Sequence, residues 1–275
     1  AARGGDAGKL IGFGKVSGGR VKYKTGSHID VDGVGALVGL AAHGGDLTLG
    51  GFFEYGTGNT STHNHFSSGR VKGKGDVEYR GLGLLAHYRF GDGYWLEGSL
   101  RGGRVETAYR SRDLVALGGV HARYEGDAHY ASAHAGIGKT WNAGNGRLDA
   151  YAQWLWTREG GDTVRLSTGE RLEFKAMQSK RLRLGGRYTH ALTPAISGFA
   201  GLALEREFDG KAKAATHIGS VSYRIAVPEM KGNSGTVELG VSTSPTSRLS
   251  IEAGVQVYAG KRKGVTGGVQ MSYRF

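Results

Sequence analysis

Cysteine is missing from the 275-residue chain. That excludes disulfide staples and thiolate metal sites, and it suits a compartment in which stray thiols are oxidised. Proline is scarce as well, at 3 residues, so the chain does not read as a Pro/Gly-rich flexible linker. No apolar run comes near the roughly 20 residues that a membrane helix requires, and the mean hydropathy is only −0.34. Neither value excludes a β-barrel, whose lipid-facing and lumen-facing residues cancel in any window. The opening Ala1-Ala2-Arg3-Gly4-Gly5 has no apolar leader, so the sequence is expected to be a domain excised from a longer precursor.

What the chain has in excess is glycine, 51 residues. There is no Gly-X-Y period, and Val, Leu, Tyr and Trp recur throughout, which favours tightly curved sheet over collagen or disorder. The net charge of +12 raises nucleic acid as a partner. The basic residues are scattered, however, with small clusters at Lys72-Gly73-Lys74 and Lys261-Arg262-Lys263, and no nucleic-acid motif accompanies them. Loops beside phosphate-rich lipopolysaccharide, and a lumen lined with Arg, are the simpler explanation.

The clearest pattern is at the C-terminus. Read with period two, Val265, Val269, Met271, Tyr273 and Phe275 form one face, and Thr266, Gly268, Gln270, Ser272 and Arg274 form the other. An apolar wall that ends on an aromatic residue fits a strand facing lipid outside and water inside. The same alternation recurs along the chain. Strands are expected at about 9–24, 27–42, 47–56, a fourth ending at Phe90, a fifth from Leu96, a sixth ending near Trp141, and a seventh over Leu148–Thr157. Others follow through Arg181–Tyr188, Ile196–Phe208, Val237–Val241, Leu249–Val257 and the final segment. Short turns are read at 43–46, 91–93, 143–146, 192–195 and 244–247. Longer connections are read at 57–68, 112–123 and 209–232.

This pattern predicts an all-β fold: a transmembrane antiparallel β-barrel of about 12 strands, with short turns and both termini in the periplasm. Tyr88, Phe90, Tyr94, Trp95 and Trp141 cluster by the short turns and are read as an aromatic belt, with Trp154 and Trp156 in the opposite belt.

Several segments, in order, give the chain a family likeness: Arg181-Leu182-Arg183-Leu184-Gly185-Gly186-Arg187-Tyr188, Leu204-Glu205-Arg206-Glu207-Phe208 with Gly210, Val227-Pro228 ahead of Lys231-Gly232, and Gly260-Lys261-Arg262-Lys263-Gly264-Val265 through Phe275. With these the chain resembles the translocator β-domain of bacterial type Va autotransporters over nearly its whole length. The resemblance implies a twelve-stranded barrel inserted by the outer-membrane assembly machinery, through which an N-terminal passenger reaches the cell surface. It also implies that Val269, Met271, Tyr273 and Phe275 form the edge which that machinery reads. One departure is plain. The family threads a helical linker through the lumen before the first strand, whereas only Ala1 to Gly8 precede it here, and that glycine-rich octet is no stable helix. Residues 1–8 are therefore read as the remnant of a linker or an engineered start, and 9–275 as the barrel. No self-cleavage chemistry is carried over.

Candidate chemistry is sparse. His63-Asn64-His65 lacks a third ligand at a recognisable spacing and reads as a solvated loop. Asp30 and Asp32 share a strand face and read as lumen or rim carboxylates near basic neighbours. The glycine run Gly33–Gly39 has no following helix to make a phosphate cradle. Ser132 and His134 carry no mark of a nucleophile with a positioned base. More informative are Glu97, Arg101, Arg183, Arg187, Glu205, Glu207, Glu238 and Glu252 on the polar faces of separate strands. Inside a barrel, opposite charges should pair.

The expectation is thus a monomeric outer-membrane translocator with no enzyme activity, cofactor or metal. Lipid, lipopolysaccharide, the assembly machinery and a covalently linked upstream passenger are its partners. The alternative is a free-standing barrel acting as a porin, adhesin or membrane hydrolase.

Overall fold

Lipid can satisfy an apolar sheet face without a second protein layer, provided that every backbone group is paired within a closed wall. The computed structural model describes residues 9–25, 28–66, 69–116, 118–218, 221–225 and 229–275; the segment read as a linker remnant, 1–8, and Val227-Pro228 lie outside them. Twelve antiparallel strands close into a barrel: β1 (Lys9–Lys24), β2 (His28–Gly44), β3 (Leu47–Phe66), β4 (Gly69–Phe90), β5 (Tyr94–Val115), β6 (His121–Ala143), β7 (Gly146–Glu159), β10 (Met177–Ala191), β11 (Ile196–Glu207), β14 (Gly232–Thr243), β15 (Leu249–Gly260) and β16 (Arg262–Arg274). The seam joins β1 to β16, from Ile11 opposite Arg274 to Tyr23 opposite Arg262. A second, four-stranded sheet is built from two connections: β8 (Asp162–Arg165) and β9 (Arg171–Phe174) precede β10, while β12 (Ala214–Ile218) and β13 (Val221–Ile225) precede β14.

Turn chemistry fixes one end of the barrel. Asp92 and Gly93 both take positive φ, 51° and 81°, and the Tyr94 amide donates to the Gly91 carbonyl. That is the backbone a two-residue hairpin needs to match strand twist. At 193–196 and 246–249, Thr193 and Thr246 use their hydroxyl oxygens to accept from the amides that restart the chain, Ile196 and Leu249, each at 3.0 Å.

Packing is inverted relative to a soluble domain. Among the described residues no large side chain is fully buried, and Leu82, Leu202 and Leu204 are 69%, 68% and 72% exposed. The accessible surface of 16527 Å² far exceeds the about 11,400 Å² expected of a compact soluble protein of 29.1 kDa. The excess is the signature of a hollow molecule with its greasy side out. On β4 the outward apolar stretch runs from Leu82 to Phe90, which at about 3.4 Å per residue and about 40° tilt covers roughly 20 Å, close to a bilayer core.

The strands that rise past this band differ from the expectation. β3 does not end at Gly56; it stays paired to Phe66, opposite Gly69. The outward residues there are Thr57, Asn59, Ser61 and His63, so the apolar alternation stops at the band while the hydrogen-bond ladder continues. β5 likewise runs to Val115, and its connection to β6 is confined to 116–120. The result is a wall of uneven height: β4, β5 and β6 have 22, 22 and 23 residues, whereas β14, β15 and β16 have 12, 12 and 13. Residues 209–232 contribute the β12–β13 hairpin. Its β12 pairs with β9, and Val164, Leu172 and Ala214 form a small buried core packed against Tyr124 of β6.

Candidate functional site: lumen, belt and seam

On each strand the residues opposite the apolar set face inward, and contacts between non-adjacent strands identify that side as the lumen. Glu54 on β3 is 4% exposed. It accepts from Arg101 Nη1 on β5 at 3.0 Å and from the Tyr130 hydroxyl on β6 at 2.6 Å. Glu97 accepts from Gln153 at 2.8 Å and lies 3.3 Å from His134 Nε2. Arg187 on β10 spans β11 and β14 to reach Glu252 on β15 at 2.6 Å, and lies 3.3 Å from Glu238. Its guanidinium sits 3.5 Å above the Phe199 ring, and that ring fills the space a side chain would need at Gly240.

The densest cluster surrounds Glu205, 6% exposed, which lies 2.7 Å from Arg183, 3.6 Å from Arg181 and 3.6 Å from Arg262. Glu207 beside it accepts from the Ser179 hydroxyl and from the Lys180 and Asp209 amides. Inside a narrow barrel such acids need partners, because one left alone carries its full desolvation cost.

All eight charges read from the sequence lie on this inner side. The reading missed Glu54, Tyr130 and Arg262, and it left Arg181, on the same strand face as Arg183 and Arg187, out of the charges expected to pair. Glu54 was open to the same parity argument, since Leu49, Phe53 and Tyr55 flank it on the opposite face. Arg262 was hidden in the basic cluster Lys261-Arg262-Lys263, whereas the β15–β16 ladder closes at Tyr258 opposite Gly264 and the connection beyond it brings Arg262 inward, 3.9 Å over the Tyr258 ring.

Between β15, β16, β1 and β2 the inner wall holds a patch of small residues, flanked by Lys15, Tyr23, Gln256, Tyr258 and Gln270. Ser17, Gly33, Gly35, Gly254, Thr266 and Gly268 border a cavity of about 500 Å³, which Phe199, Glu238 and Glu252 also line. The lumen is therefore two-sided, with a charge-bonded half facing a smooth half.

On the outer face, Tyr88, Phe90 and Tyr94 stack in sequence at 6.0 and 5.7 Å, and Lys139 lies 4.2 Å over Tyr94 and 5.7 Å over Trp141. Trp154 faces out against Phe208, at 6.0 Å, and Trp156 shares its face. Trp95 departs from the expected belt. With Tyr94 and Leu96 outside, parity turns it inward, where it stacks on His87 at 6.1 Å and fills the space beside Gly138. Val269, Met271, Tyr273 and Phe275 all face outward at the seam. The Phe275 amide donates to the Leu10 carbonyl at 2.9 Å, and its ring lies over Gly12.

Asp30 and Asp32 lie on the outer face above the apolar band, paired with Lys22 at 3.4 Å and Arg20 at 2.7 Å. Farther round the same exposed rim, Arg104 bonds Asp127 and holds its carboxyl below the usual range.

Known proteins share this architecture. The translocator domain of the autotransporter NalP from Neisseria meningitidis superposes with a TM-score of 0.75 at 15% identity, over 99% of this chain and 90% of that one. The β domain of the Bordetella autotransporter BrkA gives 0.74 at 19% identity, over 98% and 100%. The transport unit of AIDA-I from Escherichia coli gives 0.66 at 14% identity, over 98% and 91%. No curated protein matches by sequence. The model of the family described as the autotransporter beta-domain matches residues 12–256. The chain therefore belongs to the autotransporter β-domain family, as an outer-membrane translocator barrel of Gram-negative type.

Proposed function

We propose that this barrel anchors an N-terminal passenger in the outer membrane and gives its connecting segment a route along the smooth half of the lumen. The reading rests on one observation: a cavity of about 500 Å³, edged in part by small residues, whose acids Glu238 and Glu252 are paired with Arg187. A polypeptide passing there runs along Ser17, Gly33, Gly35, Gly254, Thr266 and Gly268, while Glu238 and Glu252 are engaged by Arg187. The covalent chemistry is left to the passenger, and the wall works as a monomer.

The outer surface has the layout for its surroundings. Lipid contacts the leucine-rich band, the stacked aromatics sit at headgroup level, and Arg20, Lys22 and Lys74 lie above the band to meet lipopolysaccharide phosphates. The outward row Val269, Met271, Tyr273 and Phe275 is the edge offered to the assembly machinery.

The test uses the full-length protein with an epitope in the passenger. Ser17→Trp or Thr266→Trp, which fill the smooth half, should leave barrel insertion intact, shown by heat-modifiable gel migration. Surface epitope accessible to protease should fall several-fold. Undiminished display with an obstructed lumen overturns the route; an epitope that never reaches the surface in the wild type overturns the function.

A further inference from the structure

On the outer face of β2 and β3, beyond the apolar band, His28 and His63 are direct cross-strand partners. Asp30 lies two residues along from His28 and so projects from the same face. The imidazoles stack, with centroids 4.3 Å apart and planes inclined by 17°. Asp30 Oδ2 lies 3.6 Å from His28 Nε2 and 3.8 Å from His63 Nδ1, and the three atoms are all within 4.8 Å of one another. His63 Nδ1 is shut off from solvent and has no hydrogen-bond partner.

We propose that His28, Asp30 and His63 form a binding site for a borderline divalent cation of the Zn²⁺ class, which clips β2 to β3 at the outer rim. Metal–ligand bonds of about 2.0–2.1 Å in a tetrahedron set neighbouring donor atoms about 3.4 Å apart. The observed oxygen–nitrogen separations, 3.6 and 3.8 Å, are within a few tenths of an ångström of that, and binding requires the two rings to turn out of their stack so that both lone pairs point at the ion. Two imidazoles and one carboxylate select Zn²⁺, Cu²⁺ or Ni²⁺ over Ca²⁺ and Mg²⁺, and three protein ligands leave a fourth position for water.

The surroundings are compatible with this role. Burial and the neighbouring His28, with Lys72 and Lys22 behind it, lower the His63 pKa, while Asp30 opposes them. Lys22 takes the other carboxylate oxygen, Oδ1, at 3.4 Å, so Oδ2 stays turned toward the rings and Lys22 acts as a competitor for the acid. The side chains of the three donors remain 29–32% exposed, so the cluster sits at the surface. The ladder supplies His28 and Asp30 to His63 from the next strand.

The experiment is calorimetric titration of the purified, chelator-stripped barrel in detergent with ZnCl₂, alongside Co²⁺ followed by visible absorption. One ion should bind with a tetrahedral cobalt spectrum. His28→Ala, His63→Ala and Asp30→Asn should each weaken binding by at least about tenfold, a loss that even outer-shell changes can cause. Lys22→Met should tighten it, and His43→Ala should leave it unchanged. Heat-modifiable migration verifies that each variant is folded. Absence of binding by the folded wild type, or equal affinity in the His28→Ala/His63→Ala double variant, overturns the proposal.

Discussion

Arg187 and Glu252 are held 2.6 Å apart although two strands lie between them. A bond of that reach works as a cross-brace rather than a ladder rung, and it resists ovalisation of a wall that has no packed centre. Replacing Arg187 by Ala leaves Glu238 and Glu252 facing each other without a cation and removes the plate over Phe199. Breaking a buried pair costs about 3–5 kcal/mol; with these groups about one quarter exposed, a loss of about 1–3 kcal/mol is expected after discounting for water. The guanidinium unfolding midpoint in detergent should fall accordingly. Arg187→Lys should recover only part, because an ammonium cannot make the two-pronged contact.

Removing Phe275 eliminates a seam hydrogen bond to Leu10 and the ring over Gly12. Outer-membrane yield of this barrel should drop several-fold while other barrels of the same cell are unaffected. Equal yield would show that the terminal aromatic is dispensable for insertion.

Glu159, at the outer end of β7, has its carboxyl pKa raised by burial. A folded-state pKa above the unfolded one contributes stability that is present at low pH and is lost as pH rises through the folded value. Glu159→Gln should therefore match the wild type near about pH 4 and exceed it at about pH 8, a range that begins at the ordinary Glu value. Paired thermal melts at the two pH values give the sign directly.

Leu172, 8% exposed, is central to the small core that ties the outer sheet to the barrel through Tyr124. Leu172→Ala should cost that sheet about 2–3 kcal/mol, at the lower end for such truncations. Limited proteolysis within 160–175 should accelerate while the barrel keeps its heat-modifiable migration, because the strand ladders that close the barrel do not include Leu172.

The barrel was legible where lipid shaped the chain. Leu82, Leu84, Tyr88 and Phe90 alternate with polar residues because one side of β4 is bathed in hydrocarbon, and the period shows. Beyond the band both faces of β3 are polar, so Thr57 to Phe66 looked like a loop although the ladder is continuous. Strands of four or five residues, such as β8 and β12, carry too few alternations to register. Trp95 misled for a different reason: an aromatic beside a turn resembles a belt residue, and only the parity set by Leu96 and Leu100 sends it inward. The pairing of Arg183 with Glu205 follows from strand adjacency, whereas that of Arg187 with Glu252 needed the curvature of the closed wall.

The unequal strand lengths give the barrel mouth a direction. With β4–β6 about ten residues longer than β14–β16, the rim slopes by roughly 25 Å at 3.4 Å per residue and 40° tilt. A chain that emerges meets a parapet on one flank and a sill at Lys261 on the other. For a passenger segment that leaves by the proposed route, the low side of the mouth is the β14–β16 flank.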